Sequence, residues 1–208
     1  MSQQELLKDG KLLPLMEEFY SLQGEGAQTG KPAWFIRIGG CDVGCFWCDV
    51  KESWNADLHP LTSTDEIVKH GANCPAQAVV VTGGEPLQYN MDYLCEQLHQ
   101  YGIRTFLETS GSEKLSGSWD WICLSPKRNA PPLPEISVMA DELKVIVYDD
   151  KDFEWAEKYA EWMKPECKLL LQPEWSQYNR MIQKIVDYIL EHPKWTISLQ
   201  AHKFMRIP

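Results

Sequence analysis

At 208 residues the chain suits one domain, residues 1–208, with enough apolar sequence to bury a substantial core. A net charge of −10 speaks against broad nucleic-acid binding, and no run of about 18 apolar residues offers a membrane span. The polar opening, residues 1–11, lacks the apolar centre of a signal peptide, so a cytoplasmic location and a small-molecule partner are the expectations.

In chain order, residues 16–30 read as strand and loop around Gly24-Glu25-Gly26. Residues 34–38 are a short β-run that ends at Gly39-Gly40 and delivers three thiols, Cys41, Cys45 and Cys48, within eight residues. Ser63 or Thr64 caps a helix to about Gly71, with Asp65 and Glu66 in its first turn. Residues 78–82 form a continuous apolar run ending at Gly83-Gly84-Glu85-Pro86; a strand without alternation is one covered on both faces, as in a parallel sheet. Residues 91–101 read as a helix stopped by Gly102.

The rhythm then repeats. Strands over residues 104–107, 121–124, 142–148, 168–171 and 196–199 alternate with helices over 153–163 and 178–190. Met181, Ile185, Tyr188 and Ile189 give the last helix its core face. Polar clusters keep landing at strand ends: Glu108-Thr109-Ser110-Gly111, Ser125-Pro126-Lys127 and Gln172-Pro173-Glu174. This grammar predicts an α/β fold, an abbreviated partial (β/α) barrel of about six mostly parallel strands, with its ligand beyond the strands' C-terminal ends.

Iron–sulfur clusters and structural zinc normally take four protein ligands, so a compact cysteine trio leaves one metal position open. A zinc site completed by distant Cys or His, and an electron-transfer cluster closed by one of Cys74, Cys95, Cys123 or Cys167, are the competing readings. Those four cysteines sit at unrelated spacings and read as small buried apolar residues rather than as a disulfide framework. An open iron suits a ligand carrying both an amino and a carboxylate group, as S-adenosylmethionine does. Gly83-Gly84 lets backbone approach such a ligand, and Asp49, Glu108 and Ser110 are candidates to hold its amino, ribose or carboxylate groups.

Cys41-x-x-x-Cys45-x-x-Cys48, with Trp47 before the last cysteine, followed by Gly83-Gly84-Glu85-Pro86, resembles the radical S-adenosylmethionine superfamily. Ser21-Leu22-Gln23-Gly24-Glu25-Gly26, Arg37, Glu108-Thr109-Ser110-Gly111, Ser125-Pro126-Lys127 and Gln200-Ala201-His202-Lys203 are similar to the 7-carboxy-7-deazaguanine synthase family. The resemblance implies a [4Fe-4S] cluster on the three cysteines and a carbon–nitrogen lyase in the pathway to queuosine. Such an enzyme contracts the ring of 6-carboxy-5,6,7,8-tetrahydropterin to 7-carboxy-7-deazaguanine with loss of ammonia, starting from a 5′-deoxyadenosyl radical that takes hydrogen from substrate C6. A glycyl-radical-activating enzyme shares the cysteine spacing and is the runner-up; a non-catalytic iron–sulfur electron carrier is the alternative of another class.

Carried over by motif, Leu22, Gln23, Gly24, Arg37, Thr82 and the terminal carboxylate of Pro208 fall at substrate-contact positions, with Glu25 and His202 added. Trp47, Cys48, Asp49, Gly84, Ser125, Pro126, Lys127, Gln172, Pro173, Glu174 and Trp175 fall at cofactor contacts, joined by Glu108 and Ser110. A homodimer and an external reductant such as flavodoxin are implied. One position departs from the family: two residues after the last cysteine, where Thr or Ser ligates Mg2+, this chain has Val50, whose side chain offers no oxygen. Weaker magnesium stimulation is expected.

Overall fold

The computed structural model describes residues 2–208; Met1, part of the polar opening stretch, lies outside the described residues. α1 (Gln3–Lys8) is closed by a capping box in which the Ser2 hydroxyl accepts from the Glu5 N–H and the Glu5 carboxylate accepts from the Ser2 N–H. β1 (Leu12–Leu22) and β2 (Pro32–Ile38) pair antiparallel, and β3 (Leu61–Ser63) pairs antiparallel with the start of β1. The rest alternates: α2 (Thr64–Ala72), β4 (Ala78–Gly83), α3 (Asp92–Gln100), β5 (Arg104–Thr109), β6 (Trp121–Leu124), α4 (Pro134–Met139), β7 (Glu142–Val147), α5 (Lys151–Ala160), β8 (Lys168–Pro173), α6 (Tyr178–Glu191), β9 (Trp195–Ile197) and α7 (Ala201–Met205).

The strands form one sheet in the order β3-β1-β2-β4-β5-β6-β7-β8-β9. The expected partial barrel is met by seven parallel strands, β2 and β4 to β9, with β1 and β3 antiparallel at one side. The sheet is open, β3 and β9 being its edges.

Two apolar layers hold it. Outside, Ile36, Val79, Val81, Leu107, Leu143 and Leu171 meet the buried faces of the helices, including Ile67, Leu94, Leu98, Ile136, Met181 and Ile185. Inside, Ala33, Phe35, Ala78 and Val80 form a smaller cluster joined by Phe19 and Phe106, with Phe19 stacked on Phe35 at 5.2 Å. This division explains the unbroken apolar run of β4, where Val79 and Val81 serve one layer and Ala78 and Val80 the other. The four scattered cysteines, Cys74, Cys95, Cys123 and Cys167, are all buried.

Some elements differ from expectation. β1 begins at Leu12 because Leu13 is fully buried, and three-residue β3 is called up by its pairing with β1 rather than by any pattern of its own. α5 stops at Ala160, and on α6 only Met181 and Ile185 are fully buried while Tyr188 and Ile189 pack from the periphery. The expected tail coils into α7, which ends at Arg206 in a left-handed conformation, φ 57°. Among the described residues no helix is long and apolar enough to cross a membrane.

Candidate active site

At the C-terminal ends of the parallel strands lies a cavity of about 390 Å³. Successive inward positions two residues apart line it: Phe35 and Arg37 on β2, Val80 and Thr82 on β4, Lys144 and Ile146 on β7, and Gln172 on β8 with Glu174 just beyond it. All three clustered cysteines line it too, as does every other site residue named from the sequence except Pro126.

The cysteine loop is held from several sides by backbone. Gly40 N–H donates to Ser53 O at 2.6 Å and Cys41 N–H to Trp54 O at 3.1 Å. The Gly83-Gly84 turn then zips onto it: Gly84 N–H donates to Ile38 O and Glu85 N–H to Gly40 O, both at 2.8 Å. That approach excludes a side chain, because a Cβ on Gly84 would stand 2.0 Å from Gly40 O and 3.0 Å from Cys41 Cβ. Gly83 sits at φ +127°, where glycine alone is at ease. The Asn129 amide reaches the Val43 carbonyl from across the mouth, and Val50 N–H donates to Cys48 Sγ at 3.4 Å.

Glu85 ties this turn to the next one. It is 1% exposed; Oε1 accepts from Thr109 Oγ1 at 2.6 Å and Leu87 N–H at 3.2 Å, while Oε2 accepts from Ser110 N–H at 2.8 Å and Ser110 Oγ at 2.5 Å. Ser110 therefore faces the motif turn. Lys127 lies over the Trp47 ring, 5.6 Å from its centroid, and donates to Ser125 Oγ at 2.7 Å and to the Ser125 carbonyl. Burial lowers its pKa.

Burial also pushes the Cys41 and Cys45 thiols up. The protein alone does not make them thiolates, and a bound cation is what would draw the protons off. Three cysteines on one backbone-braced loop lining the cavity, beside a glycine surface that a methyl would fill, fit a cluster with an organic ligand on its remaining iron.

Opposite the cysteines lies a polar network. Glu25 accepts from Lys144 Nζ at 2.7 Å and from Gln200 Nε2 at 2.9 Å; Glu108 accepts from Lys144 Nζ at 2.9 Å and from Gln23 Nε2 at 3.0 Å. Burial alone would raise the Glu25 pKa, but the Lys144 ammonium and hydrogen bonds from Lys144, Gln200 and Gln172 hold it at about 2. Glu108, expected beside the cofactor, is thus hydrogen-bonded to the group expected to hold substrate. Below them, Glu142 accepts from Ala27 N–H at 2.9 Å and Trp121 Nε1 at 3.2 Å, and burial raises its pKa.

Arg37 borders the same space, anchored through Nε to Glu17 Oε1 at 2.7 Å, which keeps its two terminal nitrogens for a ligand carboxylate. His202 packs against Gly24, whose added Cβ would meet Nδ1 at 2.2 Å; burial lowers its pKa, favouring the neutral ring. Asp49 accepts from Lys203 at 2.9 Å and Gln200 at 3.2 Å, which ties α7 and the residue before it to the end of the cysteine loop. The Pro208 main-chain oxygen accepts from Ser21 Oγ at 3.2 Å. Glu174 caps the 3-10 turn that presents Trp175, accepting from Ser176 N–H at 3.1 Å and from Ser176 Oγ at 2.5 Å.

Four lining residues carry roles that the sequence did not assign: Glu85, Lys144, Gln200 and Lys203. A signal existed for one of them, since Glu142 and Lys144 are polar at the same parity of an otherwise apolar strand. The others depend on contacts between residues far apart in the chain.

The radical SAM superfamily model matches residues 35–122. A 7-carboxy-7-deazaguanine synthase from Flavobacterium psychrophilum is 52% identical over 202 residues, covering 97% of this chain and 96% of that one. Another, from Synechocystis sp., is 47% identical and covers 93% of each. The crystal structure of QueE from Escherichia coli matches with a TM-score of 0.84 at 28% identity, covering 97% of this chain and 99% of that one.

Proposed function

This chain belongs to the 7-carboxy-7-deazaguanine synthase family of radical SAM enzymes, and on that premise we propose that its cavity contracts the ring of 6-carboxy-5,6,7,8-tetrahydropterin to 7-carboxy-7-deazaguanine, releasing ammonia. A [4Fe-4S] cluster and S-adenosylmethionine come with the superfamily. When bound, they supply a one-electron route to hydrogen abstraction from an unactivated carbon. Cys41, Cys45 and Cys48 hold the cluster. Gly84, Ser110, Trp47, Asp49, Ser125 to Lys127 and Gln172 to Trp175 hold the cofactor.

The observation that carries the substrate assignment is the pairing of one guanidinium with an array of amide and carboxylate groups inside a single cavity. Arg37 forks onto the substrate carboxylate. Gln23 and Glu25 face the N–H and amino edges of the pterin ring, and Glu108, expected at the cofactor, is reassigned to the same edge because it bonds to Gln23 and shares Lys144 with Glu25. Leu22, Gly24, Thr82, His202 and Pro208 complete the substrate side of the cavity.

Magnesium is a different matter. The Val50 side chain presents no oxygen, its carbonyl accepts from Ser53 Oγ at 2.7 Å, and the neighbouring Asp49 is engaged by Lys203 and Gln200. The donor set at this position does not suit Mg2+, and turnover depends on that ion less than in relatives with Thr or Ser there. The enzyme works in the cytoplasm as a homodimer, reduced by an external carrier such as flavodoxin; light scattering at low micromolar concentration tests the dimer.

The deciding experiment is anaerobic reconstitution followed by incubation with S-adenosylmethionine, a reductant and the carboxytetrahydropterin. Appearance of 7-carboxy-7-deazaguanine and ammonia is expected. Cofactor cleavage with the pterin left intact would overturn the assignment.

A further inference from the structure

Lys144 is a cation in an unusual place. It lies in the middle of β7, 4% exposed, flanked along the strand by Leu143 and Val145, both fully buried. A buried ammonium is costly unless well paired, and two carboxylates meet this one, Glu25 Oε2 at 2.7 Å and Glu108 Oε2 at 2.9 Å. They come from different parts of the fold, Glu25 from the loop after β1 and Glu108 from β5.

Each carboxylate uses its other oxygen on an amide. Glu108 Oε1 accepts from Gln23 and Glu25 Oε1 from Gln200, so Gln23, Glu108, Lys144, Glu25 and Gln200 form one continuous hydrogen-bonded chain along the cavity wall. The chain continues into the backbone, because Gly24 N–H donates to Gln23 Oε1 at 2.9 Å. Lys144 is its centre.

The groups behind Lys144 do not substitute for it. Cys123, Glu108 and Glu142 bring potential ligand atoms within 4.8 Å of one another, a cluster that would suit a cation, but the Lys144 ammonium already fills that need. Burial keeps the Cys123 thiol and the Glu142 carboxyl toward their neutral forms. Burial opposes the charge of Lys144 itself, yet the paired carboxylates of Glu108 and Glu25 hold its pKa well above the ordinary lysine value.

We infer that Lys144 is a positioning residue for substrate: by bridging Glu25 and Glu108 it sets the spacing and direction of the acceptors that read the N–H edge of the pterin, without touching the pterin itself. This rests on the substrate reading above. Without the ammonium, two buried carboxylates repel each other and the Glu25 loop loses its tie to the sheet. The cysteine loop and the motif turn are braced by other contacts and keep their geometry.

The experiment compares Lys144→Met and Lys144→Gln with wild type in anaerobically reconstituted enzyme. Iron per chain, affinity for S-adenosylmethionine, and KM and kcat for the carboxytetrahydropterin are measured side by side. Lys144→Met is expected to raise KM about 30-fold and Lys144→Gln, which keeps a donor for one carboxylate, about 10-fold, from the value of hydrogen bonds to charged groups. In both, kcat at saturating pterin, iron content and cofactor affinity stay within about threefold of wild type. If Lys144→Met does not fold, Lys144→Gln carries the test. A KM within about twofold of wild type in a variant that keeps its iron overturns the inference, and so does a parallel loss of cofactor affinity and iron in both variants, which marks a purely structural lysine. Wild-type turnover separates the two levels: no product from wild type sinks the substrate reading itself, whereas product from wild type with unaffected variants sinks only the role of Lys144.

Discussion

Gly84→Ala isolates the close approach between the motif turn and the cysteine loop. The added methyl carbon would stand 2.0 Å from Gly40 O and 2.6 Å from Gly40 C, both backbone atoms of the segment that delivers Cys41. Ordinary carbon–oxygen contact begins more than an ångström farther out, at about 3.4 Å. No rotamer relieves this, so the two backbones must part. Separation stretches the hydrogen bonds from Gly84 N–H to Ile38 O and from Glu85 N–H to Gly40 O, both 2.8 Å. At about 0.5–1.5 kcal/mol each, their loss amounts to about 1–3 kcal/mol. For a chain of this size that lowers the melting temperature by about 2–12 °C. The larger effect falls on activity, since a misplacement near 1 Å at a reacting centre costs about 100-fold in rate. Thermal melting, iron content, cofactor affinity and kcat/KM are the measurements. A Gly84→Ala enzyme with wild-type melting and kcat/KM within about threefold would show that the contact does not position the cofactor.

The remaining expectations concern charge and ligation. Replacing Cys41, Cys45 or Cys48 by Ala abolishes cluster assembly, whereas Cys74→Ala, Cys95→Ala and Cys167→Ala keep full iron; loss of iron in any of the latter three would point to a four-cysteine cluster. Burial pushes the Cys95 thiol up to about 12, so iodoacetamide at neutral pH spares Cys95 in the native apoprotein and labels it only once the chain is unfolded. Glu25, at about 2 in the folded chain against 4.5 as its reference, is a carboxylate throughout the working range; its contribution to stability is complete above about pH 4.5 and fades as the pH falls toward 2. The pterin KM therefore shows no step from Glu25 between about pH 5 and 8, and a step in wild type that vanishes in Glu25→Gln would contradict the Lys144 pairing. After chelation the wild-type enzyme retains turnover and Val50→Thr gains magnesium stimulation; complete loss of wild-type activity without the ion would refute the reading of Val50.

Much of this site was legible because its chemistry is local. Cys41, Cys45 and Cys48 share one loop, Gly83 and Gly84 one turn, and the polar clusters at residues 108–111, 125–127 and 172–174 each follow an apolar run that parallel pairing explains. What escaped depends on distant partners. Lys144 looks like a lysine interrupting an apolar strand until Glu25, 119 residues away, is placed against it. Gln200 looks like a tail residue until it bridges Glu25 and Asp49, and α7 forms only because the tail folds back, with Ala201 N–H donating to Gly24 O at 2.8 Å. β3 has three residues, too few to show any period, and exists through its register with Leu12, Leu13 and Pro14.

The carboxylate of Glu85 has a consequence for the timing and cost of ligand binding. Strand-end turns are ordinarily the segments that open first, each by its own local fluctuation. Here one side chain fastens the turn after β4 to the turn after β5, while the N–H groups of Gly84 and Glu85 fasten the former to the end of β2 and the loop that follows it. These segments share a single opening event with the sheet beneath them, and their amides should exchange with solvent together and late. A ligand arriving at such a surface finds it already ordered, so little of its binding energy is diverted into arranging the protein and more is left to orient the reacting atoms.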